Sequence, residues 1–144
     1  MGGTGKIQMN KIYLTHCSAR KDESLKGTNK EVPPAELYMA STIRRFIQRC
    51  NDEKTNWAIF SDKYGVVFPS DKIQYYNKHP NRVTNAEFQV LFENFTNRLS
   101  AYSEIWFYHN PGRFHKLYKN LITSAKDKGL NIILFTHLSE IRRS

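Results

Sequence analysis

The chain has 144 residues, with 22 Lys plus Arg against 13 Asp plus Glu, for a formal net charge of +9 with histidines neutral. That length predicts one domain able to bury a core without staples, and 40% hydrophobic with 13% aromatic residues excludes disorder of the whole chain. Two cysteines argue against a secreted disulfide scaffold. No apolar run approaches the roughly 20 residues of a membrane span and no signal peptide is read ahead of the first strand, so a soluble, cytoplasmic domain without a membrane partner is expected.

Residues 1–10 are polar and glycine-rich and are expected to form a flexible start ahead of an α/β domain over 11–144. Gly2-Gly3-Thr4-Gly5-Lys6 lacks both the preceding strand and the hydroxyl residue after Lys that a phosphate-binding loop needs. Ile12-Tyr13-Leu14-Thr15-His16 reads as a short buried strand. Pro33-Pro34 introduces a helix to about Asn51, with Leu37, Ala40, Ile43 and Ile47 at helical spacing. Trp57-Ala58-Ile59-Phe60 is a second strand, followed by a long irregular segment from Ser61 to Val83. Thr84 and Glu87 have capping-box spacing, and Phe88, Leu91, Phe92, Phe95, Leu99 and Tyr102 mark one helix face. Ile105 to Tyr108 is a third strand, and Asn110-Pro111-Gly112 turns into a third helix bearing Phe114, Leu117, Tyr118, Leu121, Ile122 and Ala125. Gly129 stops that helix, and Leu130 to Phe135 forms a fourth strand.

This alternation, β-α-β-α-β-α-β, predicts a small Rossmann-like three-layer sandwich around a mostly parallel four-stranded sheet. Open parallel sheets bind ligands beyond the carboxyl ends of their strands. That rule selects the loops at His16–Lys21, Ser61–Gly65, His109–Arg113 and Thr136–His137, which hold nearly every polar group suited to chemistry. Cys17, with Arg20 and Lys21 nearby, is a candidate low-pKa nucleophile or a packed wall of the site. Asn110, Gly112 and Arg113 at a strand-to-helix turn could bind an anion, or Asn110 and Gly112 could merely cap and turn the chain. Ser61, Asp62, Lys63, Tyr64 and Gly65 concentrate a hydroxyl, a carboxylate, an ammonium and a phenol before a glycine. Tyr75 and Tyr76 could stack on a planar base or pin the loop to the core. The five histidines and two cysteines show no zinc-type spacing, and no metal or other cofactor is expected. The dispersed cations, including Arg44, Arg45, Arg49, Lys116 and Lys119, form no recognised nucleic-acid-reading motif.

Taken in order, Cys17-Ser18-x-x-Lys21, Pro34-Ala35-x-Leu37-Tyr38 with Ser41, Ser61-x-Lys63-Tyr64-Gly65-Val66, and Tyr75 after Pro69 form a combined pattern. It resembles a family of small α/β domains labelled YaaA-like, or peroxide-stress-protein-like. The Cys-Ser-x-x-Lys element is also similar to one in the core domain of archaeosine synthase, which modifies a deazaguanine base in transfer RNA. The resemblance implies a nucleobase- or nucleotide-related site built from Cys17, Ser18, Lys21, Tyr38, Ser61, Lys63, Tyr64 and Gly65. It further implies that Ser18 and Ser61 bond the substrate and that Lys21 and Lys63 hold its anionic part.

Two functions are therefore expected in turn. The first is a nucleobase or nucleotide enzyme, of glycosidic-bond hydrolase or base-modifying transferase type, with Asp62 as general acid–base. The second is a binding module for a nucleotide or nucleic acid without turnover.

Overall fold

A computed structural model of the protein describes residues 10–110 and 112–143. Of the stretch expected to be flexible, residues 1–9 lie outside the described residues, whereas the Asn10 carbonyl accepts the Ser103 N–H at 2.8 Å and its hydroxyl at 2.6 Å.

Five strands form one sheet: β1 (Lys11–His16), β2 (Asn56–Ser61), β3 (Gly65–Val67), β4 (Glu104–Tyr108) and β5 (Ile132–Phe135), in the order β3-β2-β1-β4-β5. β1 runs parallel to β2 and β4, and β4 parallel to β5, while β3 is antiparallel to β2. The sequence pattern predicted four strands. β3 was hidden inside the segment read as irregular because three residues are too few to display a period. It forms a tight hairpin with β2, in which Ser61 pairs with Gly65. Gly65 has φ +80°, and the Asn94 side chain lies where its Cβ would stand, with Asn94 Oδ1 accepting the Val66 N–H at 2.8 Å.

The helices are α1 (Pro34–Leu37), α2 (Ser41–Asp52), α3 (Asn85–Leu99) and α4 (Lys116–Asp127). One continuous helix from Pro34 to Asn51 was expected, but the chain is extended at Tyr38 and Ala40. There it pairs with the loop after β1: the Asp22 N–H donates to Leu37 O at 2.9 Å and the Met39 N–H to Arg20 O at 3.0 Å. α3 starts with the expected capping box, Glu87 N–H to Thr84 Oγ1 at 3.1 Å and Thr84 N–H to Glu87 Oε1 at 2.9 Å. α4 begins later than the Asn110 turn suggested, at Lys116, with His115 as its cap.

Side chains alternate across the sheet and feed two cores. Tyr13, Trp57, Ile59 and Val67 pack with Ile43, Phe46, Ile47 and Cys50 of α2. Ile12, Leu14, Ala58, Phe60 and Phe107 pack on the opposite side with Leu91, Phe95 and Leu99 of α3 and Leu117, Leu121 and Ile122 of α4. Helices thus cover both faces, the three-layer α/β arrangement that the apolar strands imply. The chain's end is drawn in as well: Arg49 Nε donates to Ile141 O at 3.0 Å, and the Arg142 N–H donates to Tyr13 Oη at 3.1 Å.

Gly65→Ala should lower stability by about 1–3 kcal/mol from its backbone conformation alone, with the Asn94 clash adding to it. Urea unfolding of Gly65→Ala beside Gly129→Ala separates the two effects, because Gly129 also has positive φ but faces open space.

Candidate active site

β1 and β2 end side by side, and their exits are tied together. The Cys17 N–H donates to Phe60 O at 2.8 Å, and the Asp62 N–H donates to Cys17 Sγ at 3.4 Å. These two bonds hold Asp62, 3% exposed as a residue, at the carboxyl end of the sheet. Tyr118 of α4 donates its hydroxyl to Asp62 Oδ1 at 2.8 Å, and among the described residues no Lys or Arg is in ion-pair reach of this carboxyl. Burial pushes the Asp62 carboxyl above the ordinary carboxylate range, against the opposing pull of the Tyr118 bond.

His16 completes this edge. Its ring stacks on Tyr118, with centroids 4.5 Å apart and planes 13° apart. Its Nδ1 faces the Cys17 carbonyl at 2.8 Å, and since a carbonyl only accepts, Nδ1 carries the proton. Burial holds the imidazole below its ordinary value, which favours the neutral ring with a lone pair on Nε2. The geometry therefore sets a carboxyl that burial shifts towards its protonated form near an imidazole that burial shifts towards its neutral form.

Beneath these groups lies a second polar layer. Ser61 Oγ donates to Tyr76 Oη at 2.9 Å and accepts the N–H groups of Lys63 at 3.1 Å and Tyr64 at 3.0 Å. Tyr76 and Tyr38 share a hydroxyl–hydroxyl bond of 2.5 Å, and burial raises both phenols. Lys21, 5% exposed, donates to Ser18 O at 3.0 Å and sits 4.3 Å over the Tyr76 ring. Its ammonium is held by a carbonyl and an aromatic face rather than by a carboxylate, and burial lowers its pKa.

Two clefts open onto Asp62. One of about 280 Å³ is lined by His16, Cys17, Ser18, Arg113, His115 and Tyr118, among others. The other, of about 430 Å³, is lined by Lys63, Tyr76, Glu87, Val90 and Leu91. Asn77 and Lys78 stand between them and border both. This strap is pinned at each side: Lys78 Nζ lies 2.9 Å from Glu87 Oε2, and His115 Nε2 donates to Asn81 Oδ1 at 2.6 Å. A third hollow of about 600 Å³ shares Pro80 and His115 with the first and is lined beyond them by Phe88, Lys116 and Asn120.

The residues selected from the sequence fall into distinct groups. Cys17, Ser18, Asp62 and Arg113 border one cleft and Lys63 the next, so the exits of β1 and β2 and the loop after β4 come together, whereas Thr136 and His137 border neither cleft. Ser18 Oγ is buried without a hydrogen-bond partner, leaving it a free donor beside the first cleft. Lys21, Tyr38 and Ser61 belong to the underlying layer, with Ser61 already saturated by three protein partners. Tyr64 and Gly65 shape the hairpin, Tyr64 donating to Gln74 O at 3.4 Å. Tyr75 is tied instead to Glu23 Oε2 at 2.9 Å. The Asn110 turn closes on itself, Gly112 N–H donating to Asn110 Oδ1 at 3.0 Å, which corrects the expectation of free amides at a helix start. The expected activation of Cys17 is also corrected: burial, then the charge of Asp62, pushes its thiol up to about 12.

Sequence reasoning missed Tyr118 and left His16 without a specific role, while Tyr76, offered as a base-stacking surface or a pin for its loop, is buried and bonded to Tyr38 and Ser61. Tyr118 was read as one residue of an apolar helix face, and nothing local distinguishes it from Leu117 or Leu121. Among the described residues no group of three or more His, Cys, Asp and Glu side chains is arranged to hold a metal ion, and no helix is long and apolar enough to cross a membrane.

No curated protein matches the chain. The profile of one family, described as a family of unknown function (DUF6884), matches residues 12–128.

Tyr76→Phe should cost about 1–3 kcal/mol, since the Ser61 and Tyr38 hydroxyls would lose their shared buried partner. Denaturant unfolding measures the loss, and Tyr75→Phe, which removes only an exposed bond to Glu23, provides the comparison.

Proposed function

The chain belongs to DUF6884, a family of unknown function, and we propose from its site that it is an enzyme acting on a nucleobase- or nucleotide-related substrate, with Asp62 as the general acid. The observation that carries this reading is a buried carboxyl without an ion pair that borders two clefts and receives the Tyr118 hydroxyl. A carboxyl raised by burial is shifted towards the protonated form that a general acid needs. The His16 ring, half-buried and backed by the buried Tyr118 ring, lines the cleft as an aromatic wall for a heterocycle. The similarity of the Cys17-Ser18-x-x-Lys21 element to one in archaeosine synthase, a base-modifying enzyme, supports the same reading.

For hydrolysis of a glycosidic bond the balance is simple. Asp62 gives its proton to the departing ring nitrogen as the C1′–N bond breaks. Water adds to C1′, and its proton passes to His16 Nε2. The products are the free base and the hydroxylated sugar, and the proton returns from His16 to Asp62 through solvent. A base-modifying transferase would use the same acid with a different acceptor in place of water. Cys17, protonated and accepting the Asp62 amide, serves as a wall rather than a nucleophile in this scheme. Exposed cations at Lys63, Arg113 and Lys116, without carboxylate partners among the described residues, favour a second reading, a nucleotide- or nucleic-acid-binding module without turnover.

Incubation with nucleosides, nucleotides and short oligonucleotides, followed by chromatography for free or altered base, tests the enzyme. Turnover should fall roughly 10²–10⁴-fold in Asp62→Asn. Salt-sensitive binding with no product from any substrate would decide for the binding module. Asp62→Asn also has a stability signature. Because the folded pKa of Asp62 lies above its ordinary 3.8, the wild type is unpenalised below about that pH and loses stability as pH rises through the folded value. Asp62→Asn lacks that loss, so its melting temperature should exceed the wild type's at neutral pH, with the advantage fading towards pH 3.8.

A further inference from the structure

Resting on the nucleobase reading above, we infer that the substrate is phosphorylated and that its phosphate lies on the Arg113–Lys116 side of Asp62, not on the Lys63 side. The first cleft, at about 280 Å³, is at the lower limit of ligand sites, which start near ~300 Å³. A base seated there against His16 must send the rest of its nucleotide onward, either under the strap or past Pro80 and His115.

Charge separates the two routes. The cleft on the Lys63 side carries Glu87, which accepts the Thr84 N–H and the Lys78 ammonium and is thereby held below the ordinary carboxylate range. Lys78 is already paired with Glu87, so among the described residues that wall carries one neutralised ion pair and Lys63 as its remaining cation, against two unpaired cations on the other route. The other route has no acidic residue beyond Asp62 in its lining. Arg113 and Lys116 stand along it, both exposed and neither within ion-pair reach of a carboxylate among the described residues. His115 lies between the two stretches and borders both. Its Nδ1 already caps the Leu117 N–H, so the attraction for an anion comes from the Arg113 fork and the Lys116 ammonium rather than from a bare helix end. Farther on, the hollow of about 600 Å³ offers Phe88 and the carboxamides of Asn81, Asn85 and Asn120, space that a second nucleotide would fill but a monophosphate would not.

The phosphate could belong to a free 5′-monophosphate or to a phosphodiester within a strand. Titration calorimetry with the four ribonucleosides, their 5′-monophosphates and the matching dinucleoside monophosphates distinguishes these sources. The wild type should bind at least one phosphorylated form roughly tenfold or more tightly than its nucleoside. Tightest binding by the dinucleoside monophosphate identifies a strand, and tightest binding by the 5′-monophosphate identifies a free nucleotide. That affinity ratio should collapse to within about twofold in Arg113→Ala/Lys116→Ala and persist in Lys63→Ala. Lys116→Glu, a single exposed change, should reduce the ratio on its own and covers the case of a double variant that folds poorly. Equal affinity for nucleosides and nucleotides, or loss of the ratio in Lys63→Ala instead, overturns this inference and leaves the nucleobase reading standing. Failure of all three ligand sets to bind overturns both.

Discussion

Two amides at neighbouring strand ends hold the site in place. Because β1 and β2 are parallel, their carboxyl ends emerge together, and the Cys17 N–H bonds Phe60 O while the Asp62 N–H bonds the Cys17 sulfur. The second bond sets Asp62 just inside the sheet's edge instead of out in the loop. The hairpin into β3 then turns the chain away at once, which only glycine at position 65 permits beside Asn94. Moving either strand end would release the carboxyl into water and return it to ordinary acid strength.

The polar layer below follows from the same constraint. A sheet edge that draws Ser61, Asp62 and Lys21 inward must satisfy their hydrogen bonds without water. Tyr76 and the Lys63 and Tyr64 amides do this for Ser61, Ser18 O and the Tyr76 ring do it for Lys21, and Tyr118 does it for Asp62. Lys21 and Asp62 remain without ion pairs among the described residues, so burial works against the charged form of each. Two apolar cores, one on each face, offset the cost of keeping such groups dry.

Elements with a long, clean period were legible. The Thr84–Glu87 box and the face through Leu91, Phe95 and Leu99 located α3, and the apolar runs located β1, β2, β4 and β5. The pattern erred where the deciding contact was distant in sequence. Tyr38 to Ala40 leave the helix because Arg20 and Asp22 offer them backbone partners, a pairing no local spacing records. β3 exists because β2 lies beside it, not because three residues favour a strand on their own.

The site was legible to the same depth. Residue order alone determined a basic α/β chain with apolar parallel strands, and it determined that Cys17, Asp62, Lys63 and Arg113 would leave the sheet from one end. Those properties follow from periodicity and from the rule that parallel strands share a direction. Only the tertiary structure decided which of these groups is dry and which is wet: Asp62 and Cys17 are buried, whereas Lys63 and Arg113 are exposed. It alone brought Tyr118 across 56 positions to Asp62 and turned Cys17 into a protonated wall. Burial and hydrogen bonding set acid strength, and both depend on neighbours that chain order does not name.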